Sequence, residues 1–355
     1  MSKFLSQKFE NLAPYVPGEQ PQDMQYIKLN TNECPFPPSP YVADAVASFE
    51  ANKLRLYPDP ENTALCKSLA KYYRVESENV FVGNGSDEVL AFIFMGFFDK
   101  EKEVCYPDVS YGFYPVFCDL YGLKKNEIAL NENFSINVNA FIASDKAIVI
   151  ANPNAPTGIA LSAFDIEKIV KSNPNRLVVV DEAYIDFGGE SVVKLVKTYR
   201  NLIVVQTLSK SRALAGARLG IAIADEDLIK DIKAMKFSFN SYNVNRLTES
   251  VSIAAVEDSA YFENCRKEII KNREWTTGEL KSLGFEVLPS CANFVFAKHS
   301  TVGGEAVYKE LKKRGILVRH FSKAKISDFV RITIGSAEQM QKLIMEIKEL
   351  LCNVK

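Results

Sequence analysis

The sequence predicts an α/β fold: a large domain with a mostly parallel central sheet covered by helices, followed by a smaller α+β C-terminal domain. Three observations lead there. From about residue 60 to residue 224, short apolar runs alternate with helix-like stretches. Those runs are apolar on both faces, as strands must be when helices cover a sheet on both sides. After about residue 245 the alternation gives way to a long helical stretch, then short strands and further helices. A chain of 355 residues also exceeds what one core usually serves. The expected division is an arm over 1–40, a large domain over 41–245 and a small domain over 246–355.

Residues 1–40 are rich in Pro, Asn and Gln, and read as an extended arm. The segment Pro35-Phe36-Pro37-Pro38-Ser39-Pro40 fits neither a regular helix nor a central strand. The expected strands of the large domain are Val80–Val82, Glu103–Tyr106, Ala147–Ala151, Leu177–Asp181, Leu202–Gln206 and Leu219–Ala224. One long helical stretch is expected over 246–283, ended by Gly284. Strands over Phe285–Leu288, Asn293–Ala297, Ile316–Val318 and Phe329–Ile334, with helices over Glu305–Arg314 and Ala337–Leu351, complete the small domain. No internal repeat or heptad run is present.

Composition narrows the function. The 43 basic and 44 acidic side chains leave a net charge of −1, which gives no electrostatic reason to expect nucleic acid or an anionic membrane as partner. No run of 18 apolar residues occurs, and Met1-Ser2-Lys3-Phe4-Leu5-Ser6 lacks the apolar core of a signal peptide, so a cytoplasmic location is expected. The seven cysteines form no Cys-x-x-Cys pair and read as thiols of a reducing compartment. The two histidines, His299 and His320, make a His-rich metal centre or a Ser-His-Asp hydrolase improbable, and no metal is expected.

Four segments carry the chemistry. In Val80-Phe81-Val82-Gly83-Asn84-Gly85-Ser86-Asp87, a strand meets a helix through two glycines, and Ser86 is a fair N-cap. Unpaired N–H groups of a first helical turn can hold a phosphate. Taken alone, the segment is equally a plain strand-to-helix turn. In Ile148-Val149-Ile150-Ala151-Asn152-Pro153-Asn154-Ala155-Pro156-Thr157-Gly158 a buried strand runs into a loop that two prolines stiffen, and such a loop can aim an amide at a ligand. In Leu177-Val178-Val179-Val180-Asp181-Glu182-Ala183-Tyr184, a carboxylate closes an apolar strand, where burial is costly unless a cation meets it. In Leu202 to Gly220 another apolar strand leads to Thr207, Ser209, Lys210 and Arg218. Burial lowers the pKa of a lysine in such a place, and a neutral amine can condense with an aldehyde. Ser209 and Arg218 are natural phosphate ligands.

Together Gly85-Ser86-Asp87, Asn154-Ala155-Pro156-Thr157-Gly158, Asp181-Glu182-Ala183-Tyr184 and Ser209-Lys210 with Arg218 resemble the fold type I aminotransferases of classes I and II, in order and spacing along nearly the whole chain. Leu12-Ala13-Pro14-Tyr15-Val16-Pro17-Gly18, Leu29-Asn30-Thr31-Asn32-Glu33, Arg55-Leu56-Tyr57-Pro58-Asp59 and Val330-Arg331-Ile332-Thr333-Ile334-Gly335 are similar to the histidinol-phosphate branch of that family. The resemblance implies pyridoxal 5′-phosphate as cofactor. Lys210 would hold its aldehyde, Asp181 its ring nitrogen and Tyr184 its ring oxygen. Tyr111 would stack on the ring. Gly85, Ser86, Asp87, Thr207, Ser209 and Arg218 would surround the phosphate. Tyr57 would reach the phosphate bound by the neighbouring subunit, which implies a homodimer with shared active sites. Tyr15, Asn30, Asn32 and Arg319 would shape the substrate pocket, and Arg331 would bind a carboxylate.

One position departs from the family. Many relatives carry, just before Pro-Thr-Gly, an asparagine bonded to the ring oxygen; here Ala155 stands there. Asn152 is expected to supply the missing donor, with Asn154 as second choice. The implied reaction is amino transfer between L-histidinol phosphate and 2-oxoglutarate in histidine biosynthesis. An aromatic amino acid aminotransferase and a phosphothreonine decarboxylase on the same scaffold are the rivals.

Overall fold

The computed structural model describes residues 2–10, 12–99 and 103–353. Met1, Val354 and Lys355, the outermost residues of the expected arm and small domain, lie outside them. The fold is α/β. Its centre is a seven-stranded sheet in the spatial order Val80–Asn84, Leu219–Ala224, Leu202–Thr207, Val178–Asp181, Ala147–Ala151, Glu103–Pro107, Lys124–Ile128. Leu219–Ala224 runs antiparallel to both its neighbours, and the remaining pairings are parallel.

The apolar runs behave as two-faced strands. Ile148, Ile150, Val178, Val180, Leu202 and Val204 join one core, while Val149, Val179, Ile203 and Val205 join the core on the opposite face. Successive side chains of a strand point to opposite sides, so a strand buried on both faces must be apolar throughout. The strand Lys124–Ile128 was not expected. Its sequence, Lys-Lys-Asn-Glu-Ile, has no apolar run, because it is an edge strand whose side chains largely meet solvent. Its pairing with Glu103–Pro107, not its composition, makes it a strand.

A second, antiparallel sheet has the order Arg319–His320, Phe329–Thr333, Phe294–His299, Phe285–Val287. The helices Gly304–Lys313 and Ala337–Asn353 pack on it around a third core that includes Val295, Val307, Ile332, Leu343 and Ile347. The expected single helix over 246–283 is two helices, Arg246–Glu257 and Ser259–Ser282. Asp258 separates them. Its backbone leaves the helical region at ψ 70°, and its side chain accepts the N–H of Tyr261, so capping the second helix outweighs continuing the first.

The arm is also more structured than its composition implies. Ile27–Lys28 pairs in parallel with Ile316–Leu317, and Leu29 is buried in the third core. The partners lie nearly 300 residues away, so no local pattern announces the pairing. Ser39 then caps the helix Pro40–Ala47, with proline at a first position that needs no N–H partner.

Candidate active site

The parallel strands Val80–Asn84, Glu103–Pro107, Ala147–Ala151, Val178–Asp181 and Leu202–Thr207 all end at one edge of the sheet, the edge where open α/β sheets bind ligands. The reversed strand Leu219–Ala224 starts there, so it delivers the residue before it, Arg218, to the same edge. A cavity of about 710 Å³ opens at this edge. Tyr15, Asn30, Asn32, Ser86, Asp87, Tyr111, Asp181, Tyr184, Thr207, Ser209, Lys210, Arg218, Arg319 and Arg331 line it. Gly85, Tyr57, Asn152 and Asn154 do not.

One end is built for an anion. Helix Ser86–Phe97 begins here, so its first N–H groups face the cavity end beside Arg218. Gly85 adopts φ +83°, and a Cβ on it would collide with the Arg218 guanidinium. A Cβ on Gly220 would collide with the Gly85–Ser86 backbone. The two glycines therefore let turn, strand and guanidinium close into a cradle. Arg218 stands 3.4 Å from Asp87 Oδ2, and Tyr111 Oη donates to Asp87 Oδ1 at 2.7 Å. Asp87 thus bridges Arg218 and Tyr111. Thr207 Oγ1 and Ser209 Oγ are 2.9 Å apart, and Thr207 also accepts the Ser209 N–H.

Asp181 lies at the cavity floor, 5% exposed. It accepts hydrogen bonds from Tyr114 Oη at 2.9 Å and from the Ala183 N–H at 3.2 Å, and no ion pair involving it occurs among the described residues. Burial pushes its carboxyl up to about 6, although the Tyr114 donation opposes the rise. A buried carboxylate facing a cavity without an ion-pair partner in contact is costly, and a cationic ligand group would relieve it.

Tyr114 was missed in the sequence. It is fully buried and held on helix Phe113–Tyr121. Its only signal is its spacing of three residues from Tyr111, which reads equally as core periodicity.

Lys210 reaches the cavity from the turn after Leu202–Thr207, with Nζ 3.3 Å from the Thr31 carbonyl and 5.9 Å from the Tyr184 ring centre. Tyr184 Oη accepts from Asn32 Nδ2 at 2.9 Å, and Asn32 Oδ1 accepts from Thr333 Oγ1. Asn32 thus orients the tyrosine hydroxyl and is itself held by Thr333.

The expectation for Asn152 and Asn154 is corrected. Asn152 is buried and exchanges hydrogen bonds with the main chain of Leu161, donating at 3.2 Å and accepting at 2.7 Å. Asn154 donates to the Val109 carbonyl and to Thr157 Oγ1, and accepts from Ser110 Oγ. Both amides brace the loop. The residues of that loop that do face the cavity are Ala155 and Pro156, and neither side chain has a donor to give.

The opposite end is assembled from distant chain segments. Tyr15 stacks on Phe113 with ring centres 4.7 Å apart. Arg319 donates to the carbonyls of Val16 and Pro17. Arg331 donates to the Asn30 carbonyl at 3.0 Å, and its Nε is buried without a partner, as are Asn30 Oδ1 and Thr31 Oγ1. Desolvation lowers the Arg331 pKa from its ordinary value. Tyr57 lies away from all of this, 75% exposed and stacked on Tyr242 at 4.5 Å.

The family model described as aminotransferase class I and II matches residues 24–347. The chain belongs to that family. The aminotransferase is 48% identical over 351 residues to the histidinol-phosphate aminotransferase of Clostridium botulinum strain Okra, with 99% of each chain covered. It is 49% identical over 349 residues to that of Clostridium acetobutylicum, covering 98% of this chain and 99% of the relative. Among solved structures, the histidinol-phosphate aminotransferase of Sinorhizobium meliloti in complex with pyridoxal 5′-phosphate shares the fold, with a TM-score of 0.91 at 22% identity, covering 100% of this chain and 99% of that one.

Proposed function

We propose that this aminotransferase binds pyridoxal 5′-phosphate and exchanges an amino group between L-histidinol phosphate and 2-oxoglutarate, yielding imidazole acetol phosphate and glutamate, or the reverse in the biosynthetic direction. The observation that carries the cofactor is Asp181: a buried carboxylate with no ion pair among the described residues, at the floor of a cavity whose other features are an amine and an anion cradle. When bound, the cofactor supplies an electron sink for the substrate α-carbon.

The chain's own residues do the rest. Ser86, Ser209, Thr207 and Arg218 would hold the phosphate, with Gly85 giving it room and Asp87 orienting Arg218. Asp181 would balance a protonated ring nitrogen, with Tyr114 keeping that carboxylate ionised and aimed. Tyr111 would cover the ring. Tyr184, oriented by Asn32, would be the donor to the ring oxygen. Lys210 Nζ would hold the aldehyde and, once the substrate amine displaces it, would take the proton from the substrate α-carbon and deliver it to the former aldehyde carbon. Arg331, with an unpaired buried Nε, meets the anionic end of the substrate.

The names of relatives at 48% and 49% identity support the substrate. Incubation with histidinol phosphate and 2-oxoglutarate, with glutamate as readout, tests it. Glutamate formed faster from an aromatic amino acid would reassign the substrate, and carbon dioxide released from phosphothreonine without any oxo acid would reassign the reaction. The same reading makes the unit a cytoplasmic homodimer in which Tyr57, exposed and held outward, serves the neighbouring site. It divides the chain into the arm, large domain and small domain at about residues 40 and 245, with residues 27–34 built against the last of these. No helix among the described residues is long and apolar enough to cross a membrane.

A further inference from the structure

The substrate end of the cavity is covered by a segment that no sheet supplies. Residues 15–19 carry neither helix nor strand. They are nevertheless fixed on three sides. Arg319 holds the carbonyls of Val16 and Pro17, and Asn30 Nδ2 donates to the Glu19 carbonyl at 2.9 Å. The Glu19 side chain forms the third tie. Its Oε1 accepts from Tyr308 Oη at 2.5 Å, and its Oε2 pairs with Lys312 Nζ. Tyr308 and Lys312 are four residues apart, hence neighbours on one face of the helix Gly304–Lys313. One carboxylate thus spans two donors of one helix and pins a coil that has no pairing of its own.

The consequences reach the cavity. Gly18 runs against Thr31, where a Cβ would collide with the Thr31 methyl group, so the arm lies tight on residues 30 and 31. Asn30, which lines the cavity, is tied to the arm through its Nδ2. Tyr15, three residues before Gly18, lies on Phe113 beside Tyr111.

We propose that Glu19 is a positioning residue for amino transfer: clipped to Tyr308 and Lys312, it holds the arm, and Asn30 bonded to it, so that Tyr15 closes the substrate end. Burial by itself would raise the Glu19 carboxyl, but the Lys312 and Tyr308 hydrogen bonds outweigh it and hold the group below its ordinary value, so the clip is charged at neutral pH. A partly exposed ion pair contributes little to global stability, so its removal acts on the arm and not on the fold.

This inference rests on the proposed reaction, and its test separates the two. In the cofactor-loaded enzyme, Glu19→Ala should speed amide hydrogen exchange across residues 13–20. It should also raise KM for histidinol phosphate roughly three- to tenfold, the worth of an exposed ion pair plus one hydrogen bond. The clip predicts kcat changed by less than about twofold, with the cofactor absorbance unaltered. Tyr308→Phe, which removes one of the two donors, should give a smaller effect in the same direction. The exchanged pair Glu19→Lys with Lys312→Glu should recover most of the lost KM. Unchanged exchange and KM in Glu19→Ala would overturn the clip, as would a fall in kcat and in cofactor absorbance as large as the change in KM. If the wild-type enzyme transfers no amino group from histidinol phosphate, the reaction is misassigned, and faster exchange over 13–20 in the variant still upholds the clip.

Discussion

The two ends of the cavity are made in different ways. The cofactor end draws on strand termini and the turns that follow them: Gly85-Ser86-Asp87, Asp181, and Thr207 to Arg218. Each group there is fixed by its own strand, and the sheet fixes the strands. The substrate end draws on the arm and the second sheet. Its ties join residues about 300 positions apart, as in Asn30 with Arg331 and Asn32 with Thr333. Rigidity at the first end comes from buried main-chain pairing, whereas at the second it comes largely from side-chain hydrogen bonds to main-chain carbonyls and to other side chains. Damage to the first end should therefore act on chemistry and cofactor, and damage to the second on substrate affinity.

The strongest way to break this contrast is Lys210→Ala. Removing the amine should lower kcat by about 10²–10⁴-fold or more, the usual scale of a lost general acid–base group, while cofactor is still retained in equilibrium dialysis. Turnover near the wild-type level would end the assignment. Next comes Arg331→Ala. Losing a charge-assisted hydrogen bond of about 1.5–3 kcal/mol should lower kcat/KM by roughly 10–150-fold, mostly through KM, with cofactor absorbance intact. A change confined to kcat would place Arg331 on the wrong side of the comparison.

Tyr114→Phe sharpens it at the cofactor end. One neutral hydrogen bond, worth about 0.5–1.5 kcal/mol, should cost roughly two- to tenfold in cofactor affinity and leave KM for the amine unchanged. A titration of cofactor absorbance against pH would register the loss as a shifted midpoint, which a purely structural tyrosine would not move.

The last expected effect is on stability. Burial raises Asp181 to about 6, above its unfolded range near 4. The folded protein then holds a proton that the unfolded chain releases, so the cofactor-free protein should lose stability as pH rises from about 4 to about 6. Glu182, pushed up to about 7 by burial, and Asp186, raised likewise, act in the same sense. Asp181→Asn should flatten the part of that dependence below pH 6 in melting curves; curves parallel to wild type would show that the carboxylate already has a cation.

Legibility followed the same division. Strands such as Leu202–Thr207 and Ala147–Ala151 were readable because burial on both faces forces an apolar run. Lys124–Ile128 and Arg319–His320 were not, because each is an edge strand without an apolar run, and pairing alone makes it a strand. Lys210, Asp181 and Arg218 stood out as charged groups beside apolar strands, where charge is costly. Tyr114 did not, since a buried tyrosine on a helix is ordinary core until its hydroxyl is seen to meet a carboxylate. Asn152 and Asn154 were misjudged for the converse reason: as free-standing asparagines both could aim an amide at a ligand, but the folded loop ties Asn152 to Leu161 and Asn154 to Val109 and Thr157, away from the cavity lining.

By itself, the order of residues determined the sheet's apolar strands, the turns after them and the identity of the charged groups at their ends, because those follow from local periodicity and from the expense of burying charge. Only the tertiary structure decided which of those groups share a cavity, that Ala155 and not a neighbouring amide faces it, and that residues 15–19 close it. Those outcomes depend on hydrogen bonds between segments hundreds of residues apart, and the energy of such a contact is set by where the whole chain places its two partners.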